Sequence, residues 1–173
     1  MSCGPWRAAP LSEAHDLSEF SCGKSPLDNW LRGSARRADR QNTARTYVWE
    51  DANLAVVAYF AVAPTAVSRV GLPRSASGGA SVIPSYLLAK LALDQRLQGQ
   101  GLGTFLLLDA LETICSAART GAGRLVVVDA IDHAALSFYL AHGFRPLGEG
   151  PRAYLPVAAA ERVTRNHAES PQV

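Results

Sequence analysis

The segment that most constrains the fold is an apolar strand, followed by a glycine-rich turn and an amphipathic helix. Residues 91–93 have the apolar character of a strand end, and the turn 98–104 carries glycine at 99, 101 and 103. From about Leu102 to Arg119 apolar residues recur at helical spacing. Glycines let a backbone approach an anion, and the first N–H groups of a helix lack intrahelical partners. The pattern therefore indicates a phosphate-binding turn.

The sequence excludes two well-known classes of glycine-rich phosphate-binding turn. A Walker A loop ends in Gly-Lys-Ser/Thr, but no lysine follows Lys90. A dinucleotide-binding fingerprint has the spacing G-x-G-x-x-G, whereas residues 99–103 read G-Q-G-L-G. A plain tight turn before a helix remains the alternative interpretation.

The other elements predict a mixed α/β fold. Ser25 as N-cap, followed by Pro26, predicts a helix that runs to about Gln41. Residues 46–50 and 54–63 flank a short polar turn and predict an antiparallel hairpin. Further along we expect a loop at 67–85, a strand at 86–93, a buried strand at 125–128, a helix at 134–142 capped by Asp132, and strand structure within 144–157.

Length and charge favour one soluble globular domain. The chain has 173 residues, 48% of them hydrophobic, and a formal net charge of +2. This composition excludes a disordered or fibrous protein, and any contact with nucleic acid must come from a local basic patch. We expect a single domain over 1–160 and a flexible polar tail over 161–173.

Cysteine and histidine usage predicts neither disulfides nor a metal site. Cys3, Cys22 and Cys115 are odd in number and lack C-x-x-C spacing, and the four histidines show no ligand spacing. Cys115 lies on an apolar helical face, so we expect a buried and inert thiol. The longest apolar run, 54–63, is too short to span a membrane, and no signal peptide is recognised at the N-terminus. A cytoplasmic location is the expectation.

The glycine turn resembles the acyl-CoA loop of the GCN5-related N-acetyltransferases, the GNAT family, written Q/R-x-x-G-x-G/A. Gln98, Gly101 and Gly103 match it, and A-x-x-F-Y-x-x-x-G-F at 135–144 resembles the closing helix of the family. The resemblance implies the GNAT fold, a mixed central sheet with a strand that splays at the acetyl-CoA site and helices packed on both faces.

The resemblance also implies how acetyl-CoA would bind as co-substrate. The strand before the turn would pair with the pantetheine arm, and the turn would hold the pyrophosphate. The implied contacts are Leu91, Ala92, Leu93, Arg96, Gln98, Gly99, Gln100, Gly101, Leu102, Gly103, Thr104, Asp132 and Ala135. For Arg96 an exposed loop arginine is an equal interpretation, and Asp132 is favoured as a helix cap over a catalytic acid.

A closer resemblance, to the tRNA-acetylating toxins of type II toxin–antitoxin modules, covers most of the chain. It includes L-S-E-F-S-C-G at 17–23, L-D-N-W-L at 27–31, R-T-Y-V at 45–48 and L-A-L-D at 91–94. It implies an enzyme that acetylates the α-amine of aminoacyl-tRNA, blocks translation and is held inactive by a ribbon–helix–helix antitoxin. A homodimer is left open. The alternatives are a GNAT enzyme acting on a small-molecule amine or protein N-terminus, and a non-catalytic acyl-CoA-binding or nucleic-acid-binding module.

Tyr139 is the candidate proton donor to the leaving thiolate, because an ordinary tyrosine is protonated at neutral pH. The alternative is a core tyrosine that packs beside Phe138 and Phe144. Residues 84–93 contain no Asp or Glu. Since an α-amino group has a pKa of about 8, against about 10.4 for a lysine, an α-amine acceptor needs no strong base and is favoured.

A basic ridge is the candidate tRNA contact. Arg32, Arg36 and Arg40 recur every four residues on the face opposite the apolar stripe of the first helix, and Arg45 extends the series. We expect these side chains to contact tRNA phosphates by charge. The alternative is a solvated helix face.

Overall fold

The structure, a computed structural model, describes residues 6–169. Its helices are α1 (Ser25–Trp30), a π-helical turn (Leu31–Ala35), α2 (Arg36–Arg40), α3 (Arg74–Ser77), a 3₁₀ turn (Gln95–Leu97), α4 (Leu102–Gly121), α5 (His133–Ala141) and α6 (Val157–Glu169). Its strands are β1 (Ala9–Pro10), β2 (Arg45–Glu50), β3 (Val56–Ser68), β4 (Val82–Leu93), β5 (Leu125–Asp129), β6 (Arg145–Pro146) and β7 (Arg152–Pro156).

Within the described residues the strands form a seven-stranded mixed sheet in the order β1-β2-β3-β4-β5-β7-β6. β2 and β3 are antiparallel, with Arg45 opposite Val62, which confirms the predicted hairpin. β5 runs parallel to β4 and antiparallel to β7. The mixed α/β class predicted from the sequence is confirmed.

The chain divides into two compact units. Unit 1 comprises the described residues up to Ala63 together with Ala89–Ala110. Unit 2 comprises Pro64–Leu88 and the described residues from Leu111 onward. The predicted boundary of one domain at residue 160 stays a prediction.

The core of unit 1 is aromatic. The Tyr59 ring is fully buried, stacks on Trp30 at 6.0 Å and meets Phe20 edge-on at 5.5 Å. Leu31 and Ala35, two members of the predicted apolar stripe, are also fully buried. The apolar face of the first helical stretch therefore closes this core.

The core of unit 2 surrounds β5. Leu125, Val126 and Val127 are fully buried, as the continuous apolar run predicted. Tyr154 of β7 and Ile83 of β4 belong to the same cluster.

Two local predictions were wrong in detail. Ser25 is the first residue of α1, and Lys24 occupies the N-cap position without a side-chain cap. The helix can begin one residue before Pro26 because a proline in the first turn lacks only an N–H that would have no intrahelical partner there. The predicted loop 67–85 is shorter and contains a helix: β3 extends to Ser68, α3 follows, and β4 begins at Val82.

The described part of the predicted flexible tail is helical, and its flexibility stays a prediction. Residues 161–169 lie in α6, whose first turn buries Val157 and Ala160. Alanines are strong helix formers, and these two buried contacts hold the start of the helix. Residues 170–173 lie outside the described residues. Among residues 6–169, none of the helices has the length and apolar character needed to cross a bilayer.

Candidate active site

The glycine turn lies between the end of β4 and the start of α4, within unit 1. Gly99 and Gly101 have φ angles of +75° and +74°, a conformation that other residues adopt with strain. A Cβ atom added at either position would meet no heavy atom within 4 Å. The turn is therefore open on the side of these glycines, where an anion would have to sit. Leu102, Gly103 and Thr104 form the first turn of α4.

Gln98, the first residue of the family pattern, braces the turn from within. Its Nε2 donates to the carbonyl oxygens of Leu93 at 2.8 Å and of Cys22 at 2.9 Å. The side chain thus fastens the turn to the end of β4 and to an N-terminal segment. Any contact of this residue with the co-substrate would come from its backbone.

Asp94 is a site residue that the sequence analysis missed. Its buried carboxylate accepts from the Ser21 N–H at 3.1 Å, the Arg96 N–H at 3.0 Å and Arg96 Nε at 2.8 Å. Burial acts to raise its pKa, but these hydrogen bonds outweigh it and the pKa of Asp94 is lowered. An acidic residue between a strand and a glycine turn was the available signal. Arg96 is thus ion-paired, and its contact with a phosphate stays a prediction.

The second half of β4 is the predicted pantetheine edge. β4 pairs with β5 only over Ser85–Leu88, although the strand continues to Leu93. Leu91 and Leu93 are half-buried and Ala92 is buried. The predicted splay requires that the pairing of β4 with β5 ends before β4 itself ends, as it does here.

Lys90 is an ionisable group on this edge. Its Nζ lies 5.3 Å from the centre of the Trp30 ring, a cation–π contact. Burial lowers the pKa of this ammonium group.

Arg32 and Arg36 bind the protein's own backbone. Arg32 Nη1 donates to the Phe20 carbonyl oxygen at 2.8 Å, and Arg36 Nη2 donates to that of His15 at 2.7 Å. Both side chains therefore hold the segment that precedes α1. Helical spacing did not indicate that the segment before α1 contacts these side chains.

Arg40 and Arg45 are more accessible, with side chains 67% and 54% exposed. Arg40 contacts the exposed Glu13 carboxylate at 3.4 Å. Arg45 donates to the Asp39 carbonyl oxygen at 2.7 Å and to Asn42 Oδ1 at 2.6 Å. The tRNA contact predicted for the four arginines stays a prediction.

Tyr139 belongs to unit 2, on α5. Its ring is 7% exposed and packs at 5.3 Å from Phe144 and 5.5 Å from Phe138, as the core interpretation proposed. The hydroxyl group makes no hydrogen bond with any residue in 6–169. Burial raises the pKa of Tyr139, so the hydroxyl keeps its proton throughout the neutral range. The ring is fixed and the O–H remains available as a donor.

Asp132 is the N-cap of α5, as predicted. Its Oδ1 accepts from the Ala135 N–H at 2.8 Å. The two residues predicted to touch acetyl-CoA are thus hydrogen-bonded to each other, and that contact stays a prediction.

The described thiols are chemically quiet. Burial raises the pKa of both Cys22 and Cys115 to about 11, so each is a neutral thiol at physiological pH. Cys3 lies outside the described residues. Residues 6–169 contain no group of three His, Cys, Asp or Glu side chains placed to hold a metal ion.

Two named relatives resemble this chain over most of its length. A probable toxin TacT from Sinorhizobium fredii is 30% identical, covering 83% of this chain and 86% of the relative. A tRNA-acetylating toxin from Mycobacterium tuberculosis is 34% identical, covering 78% of this chain and 81% of the relative.

Solved structures of the toxin AtaT are similar in fold. AtaT complexed with acetyl-methionyl-tRNAfMet gives a TM-score of 0.83 at 28% identity, covering 91% of this chain and 98% of AtaT. AtaTR bound with AcCoA gives 0.79 at 27% identity over 91% and 97% of the two chains. A tyrosine-to-phenylalanine mutant of AtaT bound to the C-terminus of the antitoxin AtaR gives 0.80 at 27% identity over 92% and 98%.

The family of this chain is identified by a family-model match that includes the helix α1, the glycine turn and the helix α5. The model of the Acetyltransferase (GNAT) family matches residues 25–144, more than half of the chain. With the open glycine turn and the strand that outruns its pairing, this match settles the classification: the chain belongs to the GNAT acetyltransferase family.

Proposed function

We propose that this protein is an acetyl-CoA-dependent N-acetyltransferase that acetylates the α-amine of aminoacyl-tRNA and so blocks translation. The observation that carries the proposal is the glycine turn, open beside Gly99 and Gly101, at the end of a strand whose pairing with β5 stops at Leu88. The named activity of the M. tuberculosis relative and the acetyl-methionyl-tRNA bound to AtaT support the substrate.

Acetyl-CoA supplies the acetyl group as a thioester. The N–H groups of the turn and of the first turn of α4 would hold its pyrophosphate, where the helix dipole also favours negative charge. Residues 91–93 would pair with its pantetheine arm. Gln98 and Asp94 keep the turn in place through their own hydrogen bonds.

The acetyl group would pass directly to the acceptor. The amine nitrogen forms a bond to the acetyl carbonyl carbon, the carbon–sulfur bond breaks, and the proton that the nitrogen loses is balanced by the one that the departing sulfur gains as coenzyme A leaves as a thiol. A cysteine intermediate is disfavoured, because Cys22 and Cys115 are held as neutral thiols. The Tyr139 O–H would donate a hydrogen bond to the sulfur as negative charge develops there.

The acceptor is an amine that needs no strong base. β4 carries no carboxylate, and the adjacent Asp94 is fully engaged by Ser21 and Arg96. An α-amine, with a pKa of about 8, has a substantial neutral fraction at physiological pH without help from the protein.

The biological partners follow from the same proposal. AtaT binds the antitoxin AtaR, and we propose a ribbon–helix–helix antitoxin for this chain as well. Because aminoacyl-tRNA and acetyl-CoA are both intracellular, we propose that the protein acts in the cytoplasm.

The experiment tests Tyr139 and the substrate together. Purified protein is given acetyl-CoA with aminoacyl-tRNA, deacylated tRNA or free amino acid, and both coenzyme A release and RNA acetylation are measured. We expect transfer only to aminoacyl-tRNA. Tyr139→Phe should lower the transfer rate by about 10²–10⁴ and leave acetyl-CoA affinity unchanged.

Tyr154→Phe is the matched control, since Tyr154 is a buried core tyrosine of the same unit. It should turn over as the unaltered protein does. Full activity of Tyr139→Phe would leave that residue a packing residue only. Transfer to free amino acids or peptides, and not to aminoacyl-tRNA, would favour the alternative acceptor.

A further inference from the structure

A cavity that the proposed chemistry does not use lies in unit 2, between the end of β3 and the start of β4. Its volume is about 400 Å³, within the range of sites that bind small molecules or single groups of larger ones. It is lined by Arg69, Val70, Leu72, Arg74, Ser77 and Gly79.

The charge of this cavity is uncompensated. The side chains of Arg69 and Arg74 make no hydrogen bond or ion pair with any residue in the described part of the chain. Residues 64–93 contain no Asp or Glu. Elsewhere in the same unit, by contrast, Arg152 pairs with Asp129 at 2.7 Å.

A third arginine, Arg124, holds the helix α3. Arg124 donates from Nε to the Ala76 carbonyl oxygen and from Nη2 to that of Ser75, both at 3.1 Å. Its guanidinium passes so close to Gly78 that a Cβ there would lie 2.6 Å from Cζ. Gly78 also has a φ of +60°, so glycine permits both the turn and the close approach. The backbone of α3, which contributes Arg74 and Ser77 to the lining, is thus held in place.

We propose that this cavity binds a phosphate of the RNA substrate, an inference that rests on the proposed function. Two guanidinium groups that lack carboxylate partners suit a phosphodiester, which presents two unprotonated oxygens at once. Val70, which lines the cavity with them, is 81% exposed and offers an apolar rim for the adjoining ribose or base. An acidic peptide would need only the charges and would leave this rim unused.

The test compares two double variants with equal loss of charge. Arg69→Ala/Arg74→Ala removes the cavity arginines, while Arg145→Ala/Arg165→Ala removes two exposed arginines of unit 2 outside it. Binding of a non-hydrolysable aminoacyl-tRNA analogue is measured by fluorescence anisotropy at several salt concentrations. Acetyl-CoA affinity and the unfolding temperature are measured on the same proteins.

We expect the cavity variant to bind the RNA at least about tenfold more weakly, with a salt slope smaller in magnitude by about 1–2. The control should bind nearly as the unaltered protein does. Equal RNA binding by the cavity variant would overturn the proposal, as would an equal loss in the control. Loss of acetyl-CoA binding, or of binding to an acidic antitoxin peptide, with RNA binding intact would assign the cavity to another ligand and also overturn it.

The two proposals fail separately. RNA binding is measured without acetyl transfer, so a protein that binds the analogue through the cavity but acetylates another amine would refute only the proposed function. A protein that acetylates aminoacyl-tRNA and is indifferent to the cavity substitutions would refute only this inference.

Discussion

A single charged side chain in the glycine turn should abolish acetyl-CoA binding without unfolding the protein. Gly101→Asp places a carboxylate on the open side of the turn, where no heavy atom lies within 4 Å of the new Cβ. The side chain therefore displaces nothing in the protein. It occupies the space that the pyrophosphate needs.

The cost of Gly101→Asp to folding and its cost to acetyl-CoA binding differ in magnitude. The φ of +74° at position 101 gives any L-residue other than glycine a strain of roughly 1–2 kcal/mol. A carboxylate about 4 Å from one phosphate charge repels it by about 4 kcal/mol at an effective dielectric constant of about 20. That corresponds to roughly a thousandfold loss of affinity. Binding should thus suffer far more than folding.

Gly148→Asp is the matched control, because Gly148 has a φ of +79° and equally open surroundings. Calorimetric titration with acetyl-CoA and thermal unfolding are measured for both variants. We expect similar, modest losses of unfolding temperature in the two proteins, and loss of binding only in Gly101→Asp. If Gly101→Asp binds acetyl-CoA as tightly as Gly148→Asp does, the co-substrate does not use this turn.

Three further expectations concern unit 1. Arg40→Glu should weaken aminoacyl-tRNA binding and leave the unfolding temperature unchanged, because Arg40 contacts only an exposed carboxylate. Arg32→Ala/Arg36→Ala should instead lower the unfolding temperature by several degrees, since each loses a hydrogen bond to a carbonyl oxygen; equal thermal stability would contradict this. Trp49→Phe removes the indole N–H that donates to the buried Asp109 Oδ2 at 2.8 Å, and chemical denaturation should show a loss of about 1–2 kcal/mol. A loss below about 0.5 kcal/mol would mean that this hydrogen bond contributes little to stability.

Features that depend on neighbours in the sequence were predictable. The glycines at 99 and 101 stand where the backbone turns left-handed, and Asp132 caps α5 as its place before a helix indicated. The run at 125–128 is buried because a strand covered on both faces needs apolar residues at consecutive positions. In each case the physical cause acts over a few residues.

Features that depend on distant partners were not predictable. Asp94 accepts from Ser21, which lies 73 residues away in sequence, and Gln98 donates to Cys22, 76 residues away. Neither pairing leaves a periodic signal. The helix α3 within the expected loop is a similar case, because Arg124, far along the chain, donates to its carbonyl groups.

Arg32, in the first helical stretch, and the glycine turn of unit 1 both contact one short backbone segment, residues 20–22. Arg32 donates to the Phe20 carbonyl oxygen. The Ser21 N–H donates to Asp94, and the Ser21 carbonyl oxygen accepts from the Gln95 N–H at 2.9 Å. The Cys22 carbonyl oxygen then accepts from Gln98. A substitution at Arg32 can therefore reach the turn through three consecutive residues without touching RNA. For this reason, a loss of tRNA acetylation in such a variant identifies an RNA contact only when acetyl-CoA affinity is unchanged. The Arg40 side chain contacts Glu13 and not residues 20–22, so charge reversal at Arg40 tests an RNA contact with less effect on the turn.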